Sequence, residues 1–197
     1  MNIKTKDLYG KKLDKYLKQS VFNYAKEMYK QGEFEDFNQA LKQSNVDMSK
    51  RYKKEKNNHY IREVIIGRES VGIVWLRIID KTVHIFNLEV FNKHRGKKYS
   101  YILMDIISHF LIENKYKLSY LYVFKDNKIA LNIYTESGFI IIKDVCLYGS
   151  TIAKRYYMEK NMFETINQNI YFTNIFYRYL NKLFENNNCQ KLRALPQ

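Results

Sequence analysis

The stretch NLEVFNKHRGKKYS, residues 87–100, decides how this chain folds. Its first half ends a run of β-branched and aromatic residues that is typical of a strand. Beyond Gly96 the apolar residues recur at helical spacing, which predicts a helix over residues 98–113. A strand therefore leads through a short basic loop directly into a helix. The first turn of a helix has unpaired backbone N–H groups and a partial positive charge, so this junction suits a phosphate or pyrophosphate.

Three strands precede the end of this stretch, and they read YIREVIIG, VGIVWLRII and TVHIFNLEVF between residues 60 and 91. The short polar breaks between them predict a meander of antiparallel strands. After the helix come a buried strand at residues 117–124, a helix at 128–136 and a closing hairpin around Tyr148 and Gly149. The strand–helix–strand unit in the middle requires a parallel crossover inside a mostly antiparallel sheet.

The amino-terminal part predicts two helices, over residues 12–30 and 35–43, with Gly32 ending the first. A basic run at residues 50–56 follows, which we interpret first as a solvated connection and second as a patch for an anion. The predicted fold class is α/β (α+β): a mixed, mostly antiparallel twisted sheet of about six strands, flanked by helices.

The composition fits a single folded domain. Of the 197 residues, 46% are hydrophobic, which excludes a largely disordered chain, and seven glycines with one proline argue against an all-β sandwich. Two cysteines give no disulfide framework, and neither a signal peptide nor a membrane span is recognisable, so a cytoplasmic setting is expected. The formal charge of +14 fits a lysine-rich solvated surface, an anionic cofactor or acidic protein, or a nucleic acid.

Several motifs around residues 87–139 resemble those of the GNAT N-acetyltransferases. The family's pyrophosphate loop, Gln/Arg-x-x-Gly-x-Gly/Ala, is occupied here by residues 95–100, which read RGKKYS. The Leu-x-Val that ends the fourth strand is matched by Leu88 and Val90. A downstream signature is matched in full by Asn127, Ala130, Tyr134, Gly138 and Phe139. Lys98 and Ser100 stand where the family usually has glycine or alanine.

The resemblance implies a fold in which the fourth and fifth strands separate and leave backbone groups near Leu88 and Val90 without a strand partner. It implies that the pantetheine arm of acetyl-CoA lies in this gap like an added strand, while the pyrophosphate meets the loop. The implied cofactor-binding residues are Leu88, Val90, Arg95, Gly96, Lys97, Lys98, Tyr99, Ser100, Asn127, Ala130 and Tyr134.

Acyl transfer to an amine needs an acid for the departing thiolate and an uncharged attacking amine. By resemblance Tyr134 is the acid, with core packing as its alternative role in a chain of 18 tyrosines. His84 and Glu89, on the strand that carries the acyl site, are the candidates for a base, although many enzymes of this type need none. No metal is expected, since no His, Cys, Asp or Glu cluster has ligand spacing. His59 and His94 are expected at the surface.

The predicted function is acetyl transfer from acetyl-CoA to a primary amine of a small molecule, a peptide or a protein. The acceptor is expected between the amino-terminal helices and the sheet, near Tyr24, Tyr29, Trp75 and Tyr148. The alternative is a catalytically weak module of the same fold whose basic surface binds a nucleic acid or an acidic protein. A nucleic acid is less favoured, because a pyrophosphate already accounts for the basic residues at 93–98.

The chain is expected to divide near residue 160. Residues 1–160 form the acyltransferase domain, with its core at 60–160, and residues 161–197 form a C-terminal helical extension. Within the extension, residues 165–184 predict a strongly amphipathic helix. Its apolar stripe is expected to pack on its own domain or, alternatively, to make a homodimer or another partner contact.

Overall fold

The computed structural model describes residues 2–149 and 151–162, which fold into one mixed sheet flanked by helices. In chain order the strands are β1 (Ile3–Asp7), β2 (His59–Ile66), β3 (Glu69–Ile79), β4 (Thr82–Val90), β5 (Leu118–Phe124), β6 (Ile140–Val145) and β7 (Arg155–Asn161). The α-helices are α1 (Gly10–Lys30), α2 (Phe37–Asn45), α3 (Arg51–Lys54), α4 (Tyr99–Glu113) and α5 (Lys128–Glu136). The shorter turns are a π-helical one at Val46–Lys50 and 3₁₀ turns at Lys56–Asn58 and Asn92–His94.

The strands lie in the order β1-β2-β3-β4-β5-β7-β6, and every neighbouring pair is antiparallel except β4 and β5. These two run parallel, as the crossover through α4 predicts. Their pairing extends only from Thr82 to His84 on β4 and from Leu118 to Tyr120 on β5. Beyond His84 and Tyr120 the two strands separate, and the sheet opens into a gap.

Within the described residues, the predicted helices and strands are confirmed in order and type, but the sheet has seven strands where about six were expected. The additional strand is β1, which pairs antiparallel with β2, from Ile3 opposite Ile66 to Asp7 opposite Arg62. Its sequence, IKTKD, contains one hydrophobic residue, so no apolar alternation marks it as a strand. It lies at the edge of the sheet, where short, lysine-bearing strands discourage pairing with other chains.

The basic run at residues 50–56 is mostly helical and covers the sheet, so it is more than a connection, although its lysines are exposed to solvent as predicted. The π-helical turn and α3 continue directly from α2. Tyr52 is buried on the sheet, with its ring centroid 6.3 Å from that of Trp75. Arg51 lies 3.8 Å from the carboxylate of Asp47, one helical turn earlier. The charged residues therefore form the outer face of an amphipathic segment that covers the sheet.

Two hydrophobic cores lie on opposite faces of the sheet, which we name the α4 face and the α1 face. The core of the α4 face includes Val74, Leu76, Val83, Ile85, Leu103, Ile107 and Leu121. The core of the α1 face includes Tyr16, Leu17, Val21, Tyr52, Ile61, Ile73 and Trp75. Consecutive residues such as Val74 and Trp75 belong to opposite cores, because side chains alternate along a strand.

β4 carries one extra residue close to the point where it leaves β5. Trp75 of β3 pairs with Asn87, but the adjacent Leu76 pairs with Ile85, so Phe86 is the extra residue. Phe86 packs with the core of the α1 face, and Asn87 also turns to that face, where its amide donates to a hydroxyl of α1. A bulge of this kind bends a strand and increases its twist. It therefore contributes to the separation of β4 from β5.

The predicted C-terminal helix at residues 165–184 lies outside the described residues, so its packing stays a prediction, as does the division near residue 160. The last described residue, Met162, is buried, and its N–H donates to the Lys117 carbonyl at 3.0 Å. Among residues 2–149 and 151–162, we find no helix whose length and apolar character would let it cross a bilayer.

Gly72 lets β3 approach β4 closely at the open end of the gap, opposite Val90. A Cβ at this position would lie 2.2 Å from the Glu89 carbonyl oxygen, a backbone atom with little freedom to move. We therefore expect Gly72→Ala to lower the free energy of unfolding by about 2 kcal/mol or more, because the two strands must shift apart. Urea denaturation measures this change.

Gly67→Ala is the matched control for that substitution. Gly67 has a φ of 65° but no atom within 4 Å of a built Cβ, so its replacement is expected to cost only about 1 kcal/mol of backbone strain. A Gly72→Ala variant as stable as the parent would show that β3 and β4 do not require this close approach.

Candidate active site

The gap between β4 and β5 presents the backbone of β4 without a strand partner. The Phe91 N–H donates to the Val71 carbonyl of β3 at 2.9 Å. Because backbone groups alternate along a strand, those of Leu88 and Val90 point away from β3 and into the gap. No described strand pairs with this side of β4 beyond His84. The two positions that the resemblance assigns to pantetheine binding therefore face the gap.

The loop from β4 to α4 turns on two residues with positive φ angles. Gly96 has a φ of 77° and Lys98 a φ of 59°, and α4 begins at Tyr99. The left-handed conformation costs a lysine about 1 kcal/mol, which explains why a glycine is usual at this position. No described side chain caps the start of α4, and its first turn has no acidic residue. The backbone N–H groups there are thus available to an anion.

The basic side chains of this loop surround the start of α4. Arg95, Lys97 and Lys98 are exposed, and the Arg95 Nε donates to the Val90 carbonyl at 3.2 Å. This bond holds one guanidinium between the gap and the loop. The half-buried residues at the start of α4 are Tyr99 and Ser100. The predicted cofactor residues of this segment thus form one continuous surface of backbone donors and cations.

His94, which was expected at the surface, is buried beneath this loop with 2% of its area exposed. Within the described part of the chain, neither ring nitrogen has a hydrogen-bond partner. The Glu69 carboxylate lies 3.6 Å from Nδ1, and the Tyr99 ring packs 6.1 Å away. The prediction that His94 lies at the surface was therefore wrong. Its neighbours in the sequence are basic and exposed, so no sequence pattern indicates that this one side chain is buried.

Asn127 and Ala130, two residues of the downstream signature, form the cap of α5. The Asn127 side-chain oxygen accepts a hydrogen bond from the Ala130 N–H at 3.1 Å. An asparagine side chain also carries two donor protons, which this bond does not use. The exposed position of Asn127 beyond the end of β5 lets those protons face a ligand. Capping is thus a structural role that this residue has in addition to its predicted binding role.

Tyr134 lies on α5, packed against the core of the α4 face with its ring centroid 6.0 Å from that of Phe139. Burial raises the pKa of its hydroxyl to about 12. The hydroxyl is therefore protonated at neutral pH, as a general acid must be before it donates. The ring of Tyr134 thus has the packing role, while its protonated hydroxyl is compatible with the predicted role as an acid.

His84 stacks on Tyr120 at the last paired position of β4 and β5, with ring centroids 4.6 Å apart and planes at 8°. Burial lowers the pKa of His84 to about 3, and the charges of Arg77 and Arg51 act in the same direction. The imidazole is therefore neutral at pH 7. It is also a weak base, because a proton would enter a buried site beside two cations.

Glu89 lies on the α1 face near the open end of the gap, where its charge acts on the buried Tyr16 hydroxyl. Burial raises the pKa of the Glu89 carboxyl, and the charge of Arg95 opposes this shift. A raised pKa makes a carboxylate a better proton acceptor. Glu89 follows His84 by five residues, roughly 15 Å along an extended strand, so the two candidate bases are not brought together.

A buried network that the sequence did not indicate joins the sheet to the amino-terminal helices on the α1 face. Arg155, the first residue of β7, is 4% exposed and donates from Nε to Glu33 at 2.7 Å. Its Nη1 donates to the Tyr24 hydroxyl at 2.6 Å, and that hydroxyl lies 3.0 Å from the Tyr148 hydroxyl. Tyr148 donates in turn to Asp47. Segments that are distant in sequence are thereby fixed at the end of β5.

Tyr24 and Tyr148, which were predicted near the acceptor, belong to this network, but the other two residues of that prediction are structural. Trp75 is fully buried, and its indole donates to His59 at 2.8 Å, so it is a core residue. His59 is half-buried by this contact rather than at the surface, and burial lowers its pKa to about 4. Tyr29 is exposed on α1 and packs against α2.

The chain matches the family model of the acetyltransferase (GNAT) family over residues 18–139. This range covers more than half of the chain and includes the meander, the loop before α4 and the whole downstream signature, which ends at Phe139. No curated protein sequence matches the chain significantly.

Solved N-acetyltransferase structures share the fold at low sequence identity. Spermidine N-acetyltransferase from Vibrio cholerae, in complex with CoA and spermine, has a TM-score of 0.60 at 17% identity, over 84% of this chain and 98% of that chain. The paia N-acetyltransferase from Thermoplasma acidophilum, in complex with coenzyme A, has 0.58 at 17%, over 82% and 99%. A Bacillus subtilis acetyltransferase in complex with CoA has 0.55 at 11%, over 81% and 99%. At such identities the likeness establishes the fold.

The Arg155–Glu33 pair makes a testable contribution to stability. We expect Glu33→Gln to lower the free energy of unfolding by about 3 kcal/mol, because Arg155 keeps its charge in a buried site without a counter-ion. Asp144→Asn is the matched control: it breaks a pair with Lys125 in which the Asp144 side chain is 59% exposed, and it should cost less than about 1 kcal/mol. Equal losses in urea denaturation would contradict a special role for the buried pair.

Proposed function

Because the chain belongs to the GNAT acetyltransferase family, and is thereby an acyl-CoA-dependent N-acetyltransferase, we propose that it moves the acetyl group of acetyl-CoA to a primary amine by direct attack in a ternary complex. The observation that carries this proposal is the gap between β4 and β5, which opens beside the uncapped start of α4. An extended pantetheine arm needs backbone partners, as an added strand does, and a pyrophosphate needs N–H donors. The two requirements meet here within one strand–loop–helix unit.

On the donor side, the backbone of Leu88 and Val90 would bond the pantetheine arm, and the start of α4 would hold the pyrophosphate. Arg95 and Lys97 add positive charge at the same place. Ser100 lies in the first turn of α4, where its hydroxyl can donate to a phosphate oxygen. Asn127, with its two unused donor protons, would bind an amide carbonyl of the pantetheine. In the described ranges, no group of three His, Cys, Asp or Glu side chains could hold a metal ion.

On the departing side, Tyr134 would protonate the sulfur. The new bond forms between the amine nitrogen and the thioester carbon, the carbon–sulfur bond breaks, and the sulfur takes the Tyr134 proton. Because burial raises the pKa of this hydroxyl to about 12, the proton stays in place until negative charge develops on sulfur. Because burial disfavours the charged tyrosinate, the proton should move from Tyr134 to sulfur only as the carbon–sulfur bond breaks.

On the acceptor side, Glu89 is the better of the two candidate bases. The pKa of His84 is lowered to about 3, so it would seldom take a proton from an ammonium group. Burial raises the pKa of Glu89, and its position on the α1 face lets it receive the proton directly or through one water. We therefore propose that the amine enters from the α1 face, and that it belongs to a small molecule, a peptide or a protein.

The division of the chain is part of this proposal. Residues 1–160 would form the catalytic domain, because the sheet that carries the gap is complete at β7. Residues 161–197 would then be an addition to it. A homodimer through that addition remains one of its predicted uses.

The donor site is tested by calorimetric titration with acetyl-CoA. We expect the parent protein to bind acetyl-CoA with a Kd in roughly the micromolar range. The double variant Gly96→Glu, Ser100→Asp should lose this binding, because two carboxylates would face the pyrophosphate at the start of α4. The double variant Gln19→Glu, Asn23→Asp on α1 adds the same charge elsewhere and should bind like the parent. A parent that does not bind would refute the donor site, and salt-dependent retention of RNA or DNA would then favour the binding module.

The role of Tyr134 is tested with Tyr134→Phe in a thiol-release assay against a panel of primary amines. We expect kcat to fall about a hundredfold while the Kd for acetyl-CoA changes less than about twofold, because the hydroxyl acts only as the carbon–sulfur bond breaks. Tyr116→Phe, on the same face of the sheet, is the control and should keep its activity. An unchanged kcat in Tyr134→Phe would leave Tyr134 with a packing role alone.

A further inference from the structure

An aromatic cluster lies on the α1 face where β4 and β5 begin to separate. His84 and Tyr120 are stacked, and Tyr122 stands nearly perpendicular to both, at 84° and 89°. Tyr157 of β7 completes the group, with its ring centroid 5.5 Å from that of Tyr120 and 5.3 Å from that of Tyr122. Tyr122 is 41% exposed, so this group is open to solvent rather than closed as a core. We name these four residues the tyrosine cluster.

The tyrosine cluster lies beside the place where the reaction is proposed to occur. Tyr120 is the last residue of β5 that pairs with β4, and Tyr122 is the next β5 residue on the same face. The cluster therefore lines the closed end of the gap on the α1 face. This is the side from which the acceptor amine is proposed to enter.

A carboxylate without a cationic partner borders the tyrosine cluster. Glu159 of β7 pairs across the sheet with Tyr120, and its carboxylate accepts a hydrogen bond from the Tyr157 hydroxyl. In the described part of the chain, none of the ion pairs includes Glu159. Its negative charge thus borders the rings without an ion pair among the described residues.

The arginines of this face are already paired. Arg77, which lies opposite His84 of β4, donates a hydrogen bond from Nε to the Glu55 carboxylate at 2.7 Å. Arg155 donates to Glu33. The formal charge of +14 acts at long range, but it is screened beyond about 8–10 Å in physiological salt. The charges of Arg77 and Arg51 still act on His84 and Tyr120, so an ammonium group is expected at the exposed side of the cluster, beside Tyr122 and Glu159.

A lysine of the chain shows which ligand chemistry the rings attract. Lys143 of β6 lies opposite Tyr157, with its Nζ 5.4 Å from the ring centroid. The negative face of an aromatic ring attracts an ammonium group in this arrangement. The exposed ring of Tyr122 offers the same attraction to an ammonium group of a ligand, as the half-buried ring of Tyr157 would if Lys143 were displaced.

We propose that the tyrosine cluster and Glu159 bind a second, protonated amine of the acceptor, so that the preferred acceptor is a small alkyl diamine or longer polyamine. This inference rests on the proposed function. A site that favours ammonium would slow attack if it held the reacting amine, which must be uncharged, so the group held here is the distal one. The cluster extends one to two strand spacings, roughly 5–10 Å, from the gap, a distance that an alkyl chain spans.

The test compares hexamethylenediamine with hexylamine, which have the same carbon chain and differ in the second amine. Calorimetric titration into the protein with saturating CoA measures binding without turnover. We expect the diamine to bind about tenfold or more tightly than the monoamine. The thiol-release assay should show the same preference in kcat/KM.

Three substitutions connect the preference to the cluster. Tyr157→Leu removes a ring and Glu159→Gln removes the charge without changing the shape, and each should reduce the preference to about twofold or less. Lys143→Ala removes the competing ammonium group and should increase the affinity for the diamine. Glu113→Gln, an exposed carboxylate at the end of α4, is the control for net charge and should leave the preference unchanged.

The outcomes separate this inference from the function on which it rests. Failure of CoA to bind would refute the proposed function. In that case, titration of the CoA-free protein with the diamine would still measure the affinity of the tyrosine cluster for a second amine. Equal affinity for hexamethylenediamine and hexylamine in the parent would overturn the inference, whatever the activity. A preference that persists in both Tyr157→Leu and Glu159→Gln would overturn it as well, because the second amine would then bind elsewhere.

Discussion

The parallel pairing of β4 with β5 ends at His84 and Tyr120, and the proposed chemistry depends on that early ending. A continued ladder would use the backbone groups of Leu88 and Val90, and no extended ligand could then bond them. The separation has causes on both sides of the gap. The bulge at Phe86 bends β4, while β5 is held by its full-length pairing with β7.

The charges of the molecule are organised around this gap. Among the described residues, the cations at the start of α4 are exposed and form no ion pairs with carboxylates, which suits an anionic ligand. On the α1 face the arginines are paired with Glu33 and Glu55, whereas neither Glu89 nor Glu159 forms an ion pair with another described residue. An anionic donor and a cationic acceptor would therefore approach from opposite faces. The large positive charge of the chain does not decide this distribution, since it is an average over the whole surface.

The sequence predicted the parts of the site that are close together in the chain. Residues 95–100 and the downstream signature could be recognised because their spacing is fixed by one helix and one strand each. β1 was missed because its lysines and threonine hide the alternation of an edge strand. The Arg155–Glu33 pair joins residues 122 positions apart, so no local pattern indicates it. The tyrosine cluster was missed for a similar reason, because it forms only when three strands are aligned in register.

Two residues of the downstream signature, Asn127 and Tyr134, have structural roles that also suit the proposed chemistry. Asn127 uses its oxygen to cap α5, and this fixes the direction in which its amide protons can donate. Tyr134 uses its ring to fill the core, and the same burial raises the pKa of its hydroxyl to about 12. A more exposed tyrosine would have a lower pKa but no fixed position against the sulfur. The packing of α5 on the sheet therefore sets the acid strength of Tyr134 and its geometry together, so neither changes without the other.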